Sequence, residues 1–153
     1  MKTKHILTIL TTSLLVLSAH AGPGHAHGPK REAGPNGGRV ILNVDPHAEF
    51  FVTADRKVQI TFLDDANQPL APGEQVVAVT TGQRSAPTKL TFVKQGGVLL
   101  SEQTLPEGTS WPAVVQIKAT PDAKAVVDKF TLNLAVCPGC KLAEYACTCD
   151  HTH

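Results

Sequence analysis

A chain of 153 residues has room for one ordinary domain and excludes a large multidomain enzyme. Hydrophobic residues at 42% and charged residues at 18% describe a chain that folds around a core. A formal net charge of +1 excludes a broad basic field for nucleic acid or anionic lipid, and aromatics at 5% leave the core to Val, Leu, Ile and Ala.

The chain opens Met1-Lys2-Thr3-Lys4-His5 and continues apolar from Ile6 to Leu17, with small residues at Ala19 and Ala21. A basic start, a short apolar run and small residues before a cut site make a secretory signal over residues 1–21. The run is shorter than the roughly 20 residues a membrane span needs. Removing the signal takes away Lys2 and Lys4 and no acid, so the remaining chain is nearly neutral, without a second long apolar stretch. The expected protein is periplasmic or secreted, has no stable membrane span and meets an oxidising compartment.

Residues 22–38 read as a flexible leader, GPGHAHGPKREAGPNGG, without apolar periodicity. Within it His25 and His27 are candidate ligands for a transition metal, set against a solvated linker with incidental histidines.

Residues 39–136 read as the folded domain. Strands are expected at 39–44, 47–53, 57–63, 75–81, 88–93, 98–101, 113–118 and 129–134. Val58, Ile60 and Phe62 alternate with Lys57, Gln59 and Thr61, the pattern of a half-buried strand. Residues 54–56 suit a hairpin, as does Gly96-Gly97, and residues 64–69 suit a turn in which Asp64 and Asp65 are turn residues and not an acid/base pair. Residues 121–128 have room for one helical turn capped by Asp122. His47 and Glu49 share a face by the two-residue period, and a polar sheet edge is expected in preference to a joint metal site. Trp111 before Pro112 is expected as a core plug. Seven or eight short strands over about 100 residues predict an all-β, Ig-like antiparallel sandwich, with a small barrel as the alternative.

The four cysteines lie in residues 137–153, a Cys/His-rich tail with spacing C-x2-C-x6-C-x-C-x-H-x-H. Cys137-Pro138-Gly139-Cys140 is a tight turn on which two thiolates can grip one ion, and Cys147 and Cys149 can complete a tetrahedral site. His151 and His153 are auxiliary candidates. Soft sulfur donors suit Zn(II) or Cu(I). Two other readings stay open. An even cysteine count in an oxidising compartment also suits two disulfides, which would make the protein an interaction module without metal. A C-x2-C unit followed by a helix would lower the Cys137 pKa and make a thiol–disulfide oxidoreductase. No Ser–His–Asp arrangement and no Gly-rich phosphate loop is evident, so no enzymatic turnover is expected.

Residues Gly34-Pro35-Asn36-Gly37-Gly38-Arg39-Val40, followed by His47-Ala48-Glu49-Phe50-Phe51-Val52, resemble the small N-terminal β domain of periplasmic adaptor (membrane fusion) proteins of heavy-metal efflux pumps. The resemblance implies an extracytoplasmic β domain in metal-handling company, with a periplasmic metal-transport component as partner. Asn36 stands where that family has a histidine. The family's helical hairpin, lipoyl-like and barrel domains do not fit in this length, which makes the expected protein a free-standing relative.

Overall fold

The computed structural model describes residues 32–149. Ten strands follow in chain order: β1 Arg39–Ile41, β2 His47–Val52, β3 Lys57–Leu63, β4 Pro69–Leu70, β5 Val76–Gln83, β6 Ala86–Leu90, β7 Phe92–Gln95, β8 Val98–Thr104, β9 Ser110–Lys118 and β10 Val126–Asn133. They form two antiparallel sheets. One runs β1-β2-β3-β8-β7, with β4 also paired to β3, and the other runs β10-β9-β5-β6. The all-β sandwich expected from the alternation is therefore present.

The alternating pattern decides what enters the core. Phe50, Val58, Ile60 and Phe62 from the first sheet meet Val77, Val79, Val115, Ile117 and Leu132 from the second, all buried. Each such side chain contributes roughly 1.5–3 kcal/mol by leaving water. Trp111 is buried in this core, as expected, with the Arg56 guanidinium 5.6 Å from its ring centroid. At one side of the sandwich Arg39 of β1 pairs with Asp128 of β10 at 3.1 Å and lies 4.7 Å over the Phe130 ring.

The turn chemistry holds. The 54–56 connection closes with Arg56 N–H donating to Thr53 O at 3.0 Å. Gly96 and Gly97 join β7 to β8 with φ of 56° and 85°, a left-handed pair that side chains rarely adopt. The Asp64 carboxylate accepts from the Ala66 and Gln68 amides at 2.9 and 2.8 Å, which makes it a turn residue.

The structure corrects four sequence-based expectations. First, the described residues form ten strands and not seven or eight. The run at 88–93 is two strands, because the chain leaves one sheet after Leu90 and enters the other at Phe92. The two-residue β4 adds another within turn-like sequence. Second, residues 121–128 hold no helical turn. Ala123 N–H closes a turn onto Thr120 O, and Val126 already pairs with Ile117. Third, Glu49 is not on a polar sheet edge, since it pairs with Val40 on one side and Thr61 on the other, whereas His47 lies beyond the β1 register and pairs only with Leu63. Strand β2 lies between β1 and β3, and Glu49 is 0% exposed. Fourth, residues 33–38 belong to the fold and not to a tether. Ala33 bridges to Arg39, Gly37 N–H donates to Gly34 O at 2.9 Å, and Gly34 N–H donates to Gly38 O at 3.0 Å. Glycine-rich composition signalled freedom here, but these glycines let the backbone close over a buried carboxylate.

Candidate metal centre

Beyond β10 the chain turns back on itself. Val136 and Ala143 form an antiparallel bridge, Cys137 N–H donates to Leu142 O at 2.8 Å, and Glu144 N–H donates to Ala135 O at 2.8 Å. Pro138 and Gly139 occupy the tip. Lys141, with φ of 65°, reverses the chain while its N–H donates to Cys137 O at 3.0 Å. The Lys141 ammonium closes the knuckle by donating to Pro138 O at 2.7 Å. Cys137 and Cys140 therefore project from one small hairpin.

A single 3-10 turn, Glu144–Ala146, then brings Cys147 and Cys149 over that hairpin. Gly139 leaves the room they need, since a Cβ there would lie 2.9 Å from the Cys149 Sγ. The turn is anchored by Tyr145. Its ring meets Phe50 edge-on at 5.8 Å and lies against Phe130 at 6.4 Å, and its hydroxyl accepts the Val52 N–H at 3.0 Å. Burial pushes the Tyr145 phenol up to about 12. Tyr145 and Ala146 belong to the main hydrophobic core, so the cysteine segment is part of the sandwich and not a free tail.

The sulfurs converge. Cys147 Sγ lies 3.4 Å from Cys137 Sγ and 3.6 Å from Cys140 Sγ, and Cys137 Sγ lies 3.9 Å from Cys149 Sγ. All four Sγ atoms fall within 4.8 Å of one another. A regular tetrahedron with Zn–S bonds of about 2.3 Å has S···S edges of about 3.8 Å. A disulfide requires about 2.05 Å, and no disulfide joins these residues. Cys137 and Cys147 are buried, while Cys140 and Cys149 are half-buried.

The electrostatics of the site are uneven. The backbone at Thr148 and Leu142 holds the Cys140 thiol below the ordinary value. Burial pushes Cys147 up to about 12, opposed by the Cys149 N–H, which donates to its Sγ at 3.4 Å. Burial also raises Cys149. Four thiolates this close repel one another and are poorly hydrated, so the deprotonated cluster needs a cation.

The structure thus brings together all four cysteines singled out by their spacing. His25, His27, His151 and His153 lie outside the described residues. The helix on which the oxidoreductase argument depended is not formed, because residues 141–143 continue the hairpin and only the three-residue 3-10 turn follows. Sequence reasoning missed Tyr145 as an anchor. Its signal was present in Ala143-Glu144-Tyr145-Ala146, an isolated aromatic with alanines one and two positions away.

Fold and site together define an all-β sandwich that carries a four-cysteine centre of metal-binding dimensions. No protein-family model matches the chain, and neither a curated protein nor a solved structure matches it. No helix among the described residues is long and apolar enough to cross a membrane.

Proposed function

We propose that this is an exported, non-catalytic metal-binding protein in which Cys137, Cys140, Cys147 and Cys149 hold one thiophilic ion. The observation that carries this reading is the convergence of four Sγ atoms within 4.8 Å, with edges of 3.4, 3.6 and 3.9 Å bracketing the tetrahedral value. Four sulfur donors in a near-tetrahedral set favour Zn(II), and Cu(I) shares the preference for soft ligands. Four protein ligands leave no open position for a reacting water, which suits holding an ion and not turning over a substrate. His151 and His153 follow Cys149 closely enough in sequence to act as auxiliary donors during capture or transfer.

Export is supported by the signal-like start of the chain. A periplasmic metal-transport component as partner is supported by the resemblance of residues 34–40 and 47–52 to efflux-adaptor domains. In this reading the sandwich is the scaffold and docking surface, and the centre sequesters or passes the ion.

The rival is a disulfide-closed interaction module, which oxidation of the neighbouring Cys137 and Cys147 sulfurs would produce. One experiment separates the two. The full chain is isolated without reductant, and its metal content and accessible thiols are measured together, before and after alkylation. One equivalent of Zn or Cu, lost on alkylation, supports the proposal. Four blocked thiols with no metal overturn it.

A further inference from the structure

Glu49 is fully buried, and residues 34–38 wrap its carboxylate. Oε1 accepts the Asn36 N–H at 2.9 Å and the Gly38 N–H at 2.7 Å, while Oε2 accepts the Asn36 side-chain amide at 2.7 Å. The fit leaves no slack. A Cβ on Gly34 would lie 2.4 Å from Glu49 Cδ, and one on Gly38 would lie 2.4 Å from Phe50 O. The tip of this loop meets the metal hairpin. A Cβ on Gly37 would lie 3.2 Å from Leu142 Cδ2, and Asn36, Gly37 and Leu142 line one cleft of about 440 Å³.

Leu142 in turn is tied to the cysteine hairpin. Its carbonyl accepts the Cys137 N–H at 2.8 Å, which closes the turn that carries Cys140. We infer that Glu49 and Asn36 are positioning residues for the metal centre, acting through the 34–38 loop and Leu142. This role rests on the reading of the four cysteines as ligands. The loop that the buried carboxylate fixes is the wall against which Leu142 sets the spacing of Cys137 and Cys140. Groups behind the ligands orient them, and their loss typically weakens metal binding about tenfold or more.

Co(II) is a spectroscopic probe for such a site, because thiolate-to-metal charge-transfer bands report the number and geometry of sulfur ligands. The test uses the full chain, its Glu49→Gln and Leu142→Ala variants and the double variant, with Co(II) affinity measured against a competing chelator. Gln is isosteric with Glu but turns an N–H donor toward the Asn36 amide. Each single variant is expected to weaken Co(II) about tenfold and to shift the charge-transfer bands. The double variant is expected to be no weaker than the weaker single one, because the two act in series.

Unchanged affinity and bands in a folded Glu49→Gln protein, or additive losses in the double variant, would overturn the inference while leaving the metal reading intact. Absence of thiolate charge-transfer bands in the unaltered protein would overturn the metal reading and this role with it. Hydrogen exchange on the unaltered chain decides the matter if Glu49→Gln does not fold. Coupling is reciprocal, so metal must slow exchange at the Asn36 and Gly38 amides by a similar factor. Equal exchange with and without metal would sink the inference.

Discussion

The Val52 amide donates to the Tyr145 hydroxyl at 3.0 Å, across 93 positions of sequence. This bond, with the packing of the Tyr145 ring on Phe50 and Phe130, fixes the last described segment to the sandwich. The four-cysteine centre is thereby held to the core from one side by Tyr145 and from the other by the hairpin that leaves β10.

Tyr145→Phe keeps the ring and removes the acceptor, leaving the Val52 amide unsatisfied. A loss of about 1–3 kcal/mol is expected. Tyr145→Ala removes the ring as well, and a loss of about 3–5 kcal/mol is expected, by analogy with other large aromatic truncations. Urea unfolding of the metal-free protein measures both. Equal midpoints for Tyr145→Phe and the unaltered protein would show that the bond contributes nothing.

Serine at any one of Cys137, Cys140, Cys147 or Cys149 is expected to abolish stoichiometric Zn at physiological chelator competition, with Cys147→Ser the most severe. Cys147 Sγ lies within 3.6 Å of both the Cys137 and the Cys140 Sγ. Alanine at His151 or His153 is expected to leave the stoichiometry at one and change only the rate of exchange. Elemental analysis after dialysis reads the first, and transfer to a chromogenic chelator reads the second.

Stability of the metal-free protein is expected to fall between about pH 9 and pH 12. Burial raises the Cys147 thiol from 9.0 to about 12 and the Tyr145 phenol from 10.0 to about 12. In that window the unfolded chain has released these protons and the folded chain still holds them. Fewer protons are then bound in the unfolded state, so stability declines as pH rises. Below pH 9 these two groups are protonated in both states and their contribution is constant. Denaturant midpoints across pH 8–12 check this, and a flat profile would contradict it. Metal binding has the opposite demand: it displaces thiol protons, so affinity should fall as pH falls.

Gly38→Ala is expected to cost far more than Gly96→Ala. A methyl on Gly38 meets the Phe50 carbonyl at 2.4 Å, a backbone atom that cannot turn aside. A methyl on Gly96 meets nothing within 4 Å and suffers only from its φ of 56°, a cost of about 1 kcal/mol. Thermal unfolding of the two variants, compared directly, tests the ranking.

Much of the sandwich was legible because strand burial is a local property. Val58, Ile60 and Phe62 alternate with polar neighbours, and Gly96-Gly97 marks its own hairpin. The sheet change at Thr91 was not legible, because a continuous β run carries no mark of which sheet each half joins. Glu49 was misplaced for a related reason. An acid in an alternating run suggests solvent, and the donors that satisfy it come from Asn36 and Gly38, 13 and 11 positions away.

The amino-acid sequence by itself determined the strand-forming segments, the turns and the donor set of four thiols, since pleat, turn conformation and ligand chemistry depend on residues a few positions apart. Tertiary structure alone decided that those thiols share one centre and that the centre is seated on the core. The seating of the centre depends on contacts such as Val52 with Tyr145, 93 positions apart, which form only when the sandwich has packed and brought the segment after β10 against it.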